Sequence, residues 1–160
     1  MNEMLETFTV TFFGHRYIDN PFRVVELLES VIYDLIKQKP FVEFLVGRNG
    51  DFDQFVSSVV LRAKKKYRDD NSFLILILPY PTAEYQNNID SFENYYDEIE
   101  ICDTSSKAHF KSAMQTRNRQ MVDRADLIIC YLEHNSGGAY QTVQYAKKQG
   151  KAVINLADEL

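Results

Sequence analysis

Tryptophan is absent, and the 160 residues include only two cysteines. Cys102 and Cys130 lie far apart and match no metal-ligand spacing. Histidines and carboxylates show no such spacing either, so no metal site is expected. No apolar run reaches membrane-spanning length, and the acidic opening "MNEMLETFTV" has no secretory pattern. No membrane partner is expected. A reduced, cytoplasmic setting follows, with Cys130 in "LIICYL" a buried free thiol. A basic excess is missing as well: 18 basic and 23 acidic side chains give a net charge of −5. Nucleic-acid-binding domains usually carry the opposite balance, so nucleic acid is not expected as the main partner. A nucleotide needs only a local cationic pocket. Three chemical signatures are also absent. No G-x-G-x-x-G follows the first apolar run, which argues against an NAD-type dehydrogenase. No Gly-Lys-Ser/Thr completes a Walker motif, and no G-x-S-x-G elbow occurs. No cofactor is expected, and no catalytic residue is assigned.

What is present alternates between strand and helix. "FTVTFF" (8–13) is β-branched and aromatic and predicts a buried strand. Asn20-Pro21 opens a helix over 21–37, with Val24, Leu27, Leu28, Val31 and Leu35 at helical spacing. Residues 41–46 predict a second strand, and 53–67 a helix ending in cations. "FLILILP" (73–79) is apolar on both faces, as in a central strand covered on both sides. Residues 80–95 look irregular. "DEIEI" (97–101) predicts a short edge strand, 106–124 a helix, and "DLIICYL" (126–132) a buried strand. Gly138 to Gln149 predicts a helix capped by Gly150, and "AVINL" (152–156) a last strand. The expectation is one α/β domain over 1–160, a Rossmann-like doubly wound sheet of about six mainly parallel strands with helices on both faces. The predicted strand order is 4-3-2-1-5-6, because an irregular 80–95 should leave strand 4 beside strand 3 at the edge.

Ligands of such sheets bind outside the carboxyl ends of the strands, where strand order reverses. After the first strand come Gly14, His15 and Arg16. Arginine offers a fork for phosphate or carboxylate, and histidine a hydrogen bond or acid–base work. The alternative is a turn with two solvated side chains. After the second strand come Gly47, Arg48, Asn49, Gly50 and Asp53. Asp53 is a natural N-cap, or an acceptor for a ribose hydroxyl if it points into the cleft. After "DLIICYL", Ser136-Gly137-Gly138 precedes a helix whose amides form an anion site, with Ser136 and Thr142 as hydroxyl donors. The alternative is a Gly-rich connection with Ser136 as the cap. Arg117, Arg119 and Arg124 lie on one helix. Either they are solvated and paired with acids such as Asp123, or Arg117-Asn118 holds a phosphate and reads a base.

Four stretches occur in order: "TFFGHR", "VGRNGDFDQFV", "RNRQMVDRADLIICYLE" and "SGGAYQTVQYAKKQGKAVINL". Together they resemble the YpsA-like branch of the SLOG (SMF/DprA–LOG) superfamily, with its many Gram-positive bacterial members. The resemblance covers nearly the whole chain. It implies a Rossmann-like fold that binds nucleotides or their derivatives, with ADP-ribose-type signals sensed by some relatives. It also implies hydrolysis of nucleoside monophosphates in the LOG branch and binding of single-stranded DNA in the DprA branch. Gly14 and Arg16 match the first loop, and Gly47, Gly50 and Asp53 the second, with Arg48 where many relatives have glycine. Arg117 and Asn118 match the "RN" pair, and Ser136, Gly137 and Gly138 the phosphate loop. LOG hydrolases read P-G-G-x-G-T-x-x-E. Here proline is missing, tyrosine replaces the third glycine, and no acid ends the run, which weakens that chemistry. The leading expectation is a nucleotide-binding sensor or regulator. Two alternatives stay open: a nucleotide hydrolase using Asp53 or Glu133, and a partner-binding module without a ligand. Pairing of like chains is also implied, since relatives of this superfamily often pair.

Overall fold

The chain is described by a computed structural model covering residues 6–102 and 109–159. Six strands form one sheet: β1 (Thr7–Gly14), β2 (Phe41–Val46), β3 (Ser72–Leu78), β4 (Glu98–Ile101), β5 (Leu127–Tyr131) and β6 (Ala152–Asn155). Their order is β4-β3-β2-β1-β5-β6, and every neighbouring pair is parallel. This is the expected order. Its reversal falls between β1 and β5, which pair from Val10↔Leu127 to Gly14↔Tyr131.

The helices are α1 (Pro21–Gln38), α2 (Asp51–Lys66), α3 (Ala83–Asn87), α4 (Ile89–Tyr95), α5 (Phe110–Arg124) and α6 (Gly138–Lys148). Alternation along the strands sends side chains to two cores. Val10, Phe12, Phe44, Leu74 and Leu76 pack against α1 and α2. Phe13, Leu45, Ile75, Ile77 and Ile128 pack against Met121 and Val122 of α5 and Val143 of α6. Burying both faces needs apolar residues at consecutive positions, which is why "FLILILP" carries no alternation. Both cysteines are buried, and burial pushes the Cys130 thiol up to about 12.

Two local expectations are corrected. Residues 80–95 are not irregular, because α3 and α4 occupy most of them. A parallel β3–β4 pair needs a crossover, and these two short helices supply it. Helix α2 begins at Asp51 rather than Asp53, with Gly50 at the cap and no side-chain capping bond. The helix expected over 106–124 is seen from Phe110, its first three positions lying outside the described residues. Gly150 follows α6 with φ +74, the left-handed conformation that closes a helix and suits glycine.

Candidate functional site

A cleft of about 420 Å³ opens at the carboxyl ends of β1, β2 and β5. Its volume lies in the range of small-molecule sites. It is lined by the loops that follow these strands and by one face of α5. Of the residues singled out in sequence, Gly14, His15, Arg16, Gly47, Asn49, Gly50, Asp53, Arg117, Asn118, Ser136, Gly137 and Gly138 all line it.

The β1 and β2 loops are pressed together, and two glycines allow it. A Cβ on Gly14 would lie 2.4 Å from the Phe52 ring, and one on Gly50 would lie 2.7 Å from the Arg16 backbone. The Asp51 amide donates to the Arg16 carbonyl at 2.8 Å, and the Ile18 amide to Asp51 Oδ2 at 3.0 Å. These contacts fix the backbone of Arg16, yet its side chain is exposed and has no ion-pair or hydrogen-bond partner among the described residues. It is a cation held at the cleft and left unpaired.

His15 reaches the β5 loop instead. Its Nε2 accepts from the Glu133 amide at 2.8 Å, and its ring stacks on His134 at 3.9 Å. An accepting Nε2 carries no proton, so the network assigns the neutral ring protonated at Nδ1. Burial lowers the His15 pKa, His134 lowers it further, and Glu133 opposes both. The β1 and β5 loops therefore stand side by side, as the sheet order requires. Glu133 is occupied as well, since its Oε1 accepts from the Tyr131 hydroxyl at 2.7 Å. Burial, aided by that bond, pushes the Tyr131 hydroxyl up to about 12.

Arg117 forms the floor and is only 2% exposed. Its Nη1 donates to the Ile77 carbonyl at 2.9 Å, and its Nε to Asn118 Oδ1 at 2.9 Å. The remaining Nη2 meets only the Met114 sulfur, at 4.0 Å, among the described residues. Asp53 does not cap α2 with its own position. Its Oδ2 reaches back to the Asn49 amide at 2.8 Å. Burial raises the Asp53 pKa, while the Asn49 bond and the Arg117 and Arg16 cations oppose the rise. Burial lowers the Arg117 pKa, and Asp53 opposes that. Gly47 separates the two: a Cβ there would lie 3.1 Å from Asp53 Oδ2 and 3.2 Å from Arg117 Nη1.

The loop into α6 is open. Gly137 is the cap residue at φ +96, with no side-chain capping bond, and a Cβ on Gly137 or Gly138 would meet nothing within 4 Å. Ser136 does not cap the helix, because its Oγ lies 3.2 Å from His134 Nδ1. The first amides of α6 thus keep their donors and the positive end of the dipole toward the cleft. Thr142 does not line the cleft. It is buried, its Oγ1 donates to the Gly138 carbonyl at 3.0 Å, and it accepts from Asn118 Nδ2 at 3.1 Å. It joins α5 to α6 behind the cleft.

Arg48 also leaves the cleft. Its guanidinium meets Glu84 in two bonds of 2.9 and 3.2 Å, donates to the Tyr96 hydroxyl at 2.9 Å, and lies 4.7 Å from the Phe92 ring centre. Among the residues singled out in sequence, Arg48 does not line this cleft: its side chain fastens α3 and α4. Arg124 pairs with Glu100 at 2.9 Å, and Arg119 lies over the Tyr145 ring. Sequence reading missed Tyr17, His134, Met114 and Met121, which also line the cleft. The position of Tyr17 directly after Arg16 was the available signal. The methionines on the inner face of α5 gave none beyond core periodicity.

Solved structures share this architecture. DNA processing protein A from Streptococcus pneumoniae matches with a TM-score of 0.66 at 15% identity, over 93% of this chain and 50% of that one. The chain shares the DNA processing protein A fold. The Helicobacter pylori protein matches at 0.66 and 16% identity, over 96% of this chain and 71% of that one. The chain thus spans half the length of the pneumococcal DNA processing protein A. No family model and no curated protein matches the chain. The Helicobacter structure is described as showing a single-stranded DNA binding mode. That finding overturns the expectation against nucleic acid as a partner. Net charge sums the whole surface, whereas a strand is held by a local cleft. Among the described residues no helix is long and apolar enough to cross a membrane, and no cluster of metal-ligating side chains occurs.

Proposed function

We propose that this chain is a nucleotide-binding domain of sensor or regulator type, in the YpsA-like branch of the SLOG superfamily. One observation carries the proposal. The unpaired Arg16, the buried Arg117 and the uncapped start of α6 converge on a single cleft of about 420 Å³. Each favours an anion, and together they suit a phosphate group. Arg16 supplies the direct ion pair, while Arg117 contributes a fixed positive floor. Tyr17, 80% exposed at the same cleft, offers a ring for a base. Asp53 and Asn118 offer groups to ribose or base.

A second reading is a strand of single-stranded DNA, supported by the structural neighbour from Helicobacter pylori. The same cradle suits a phosphodiester. Thermal-shift measurements with nucleoside monophosphates, ADP-ribose and a short single-stranded oligonucleotide separate these readings. Stabilisation by a mononucleotide supports the first, stabilisation by the oligonucleotide alone supports the second, and no stabilisation by any compound overturns both. Release of free base, abolished by Asp53→Asn, would replace sensing with hydrolysis.

A further inference from the structure

Two imidazoles line the cleft beside Ser136, Gly137 and Gly138. His15 and His134 stack with ring centres 3.9 Å apart and planes 13° apart. Rings this close resist carrying a charge each. His15 is the one held neutral, because its Nε2 accepts from the Glu133 amide at 2.8 Å. A single charge on the pair therefore falls to His134. That ring is exposed, and its Nδ1 lies 3.2 Å from Ser136 Oγ. Its Nε2 has no hydrogen-bond partner among the described residues.

A proton on His134 changes what the loop before α6 presents. Both nitrogens of an imidazolium donate. Nδ1 then gives its hydrogen to Ser136 Oγ, and the Ser136 hydroxyl turns its own hydrogen outward. The Nε2–H is a second donor. The charged groups around this ring divide. Arg16 of the β1 loop and Arg117 of α5 line the same cleft and oppose the proton, whereas Asp53 of α2 and the adjoining Glu133 favour it. Tyr17 adds a phenol to the same lining. A bound dianion offsets the arginine charges and attracts the proton itself, so anion and proton bind together. A phosphate monoester is such a dianion near neutral pH and has three free oxygens. A phosphodiester carries one charge and has two.

We infer that His134 takes up a proton from solvent as the cleft fills, and that the cleft thereby selects a terminal phosphate monoester over an internal phosphodiester. The inference rests on the proposed nucleotide site, and the monoester belongs either to a free nucleotide or to the 5′ end of a strand. Its test is calorimetry at about pH 7.5, where an ordinary histidine is mostly neutral, in two buffers of different ionisation enthalpy. The probes are adenosine 5′-monophosphate, its methyl ester, and a short oligodeoxynucleotide with and without a 5′-phosphate. The compound with the terminal phosphate should bind at least about tenfold more tightly than its partner, through the added charge-assisted bonds. It should also take up at least about half a proton per site. Tighter binding of the mononucleotide than of the phosphorylated strand would assign the monoester to a free nucleotide, and the reverse to a strand end. His134→Gln keeps a polar side chain that cannot titrate, and it should abolish both the uptake and the preference. Equal affinity within each pair, a binding enthalpy independent of buffer, or uptake that survives His134→Gln would overturn this inference alone. Failure of every probe to bind would overturn the nucleotide site and this inference with it.

Discussion

At the scale of single residues, two arginines with the same expected role part company. Arg16 is exposed and unpaired, whereas Arg117 is buried and bonded to Ile77 and Asn118. Arg16→Ala should change stability by no more than about 0.5 kcal/mol. Arg117→Ala should cost about 3 kcal/mol, because charge-assisted bonds to buried acceptors are lost. Urea unfolding of both variants checks the contrast. His15 sets a pH dependence. Its folded pKa lies below the ordinary 6.5, so folding favours the neutral ring. That contribution is fully present above about 6.5 and fades as pH falls toward the lowered folded value. Stability measured between pH 8 and pH 5 should drop, and His15→Ala should show a shallower drop across that window. Residue types at the strand ends were legible in sequence, but side-chain direction was not. Arg48 and Arg16 each follow a strand, and only the fold sends one to Glu84 and leaves the other at the cleft.

At the scale of elements, packing glycines matter as much as open ones. Gly14→Ala would drive a methyl into Phe52 and push α2 from β1, at a cost of about 1–3 kcal/mol. A lowered denaturation midpoint with unchanged slope would report it. Arg48 fastens α3 and α4 to the end of β2, mostly through a partly exposed pair. Arg48→Ala should cost only about 1 kcal/mol globally, yet speed amide exchange across residues 83–97. The long helices were legible because their apolar positions repeat over several turns. Helices α3 and α4 were not, since five and seven residues are too few to display a period. Their existence follows from the parallel β3–β4 pair rather than from their own composition.

At the scale of the whole molecule, the sheet order was legible because buried strands declare themselves as unbroken apolar runs. Connection rules then leave few arrangements. The order was reached through a mistaken view of 80–95, and it held because an edge position for β4 fits a helical crossover equally well. Net charge misled in the opposite sense, since −5 over the whole surface coexists with a cationic cleft at the reversal. The central claim is that this cleft holds a phosphate through Arg16 and the start of α6. Calorimetric titration of the protein and of Arg16→Ala with a nucleoside monophosphate tests it most directly. The account predicts saturable binding at one site, weakened at least about tenfold in the variant while its melting temperature stays the same. Equal affinity in the two proteins would contradict it.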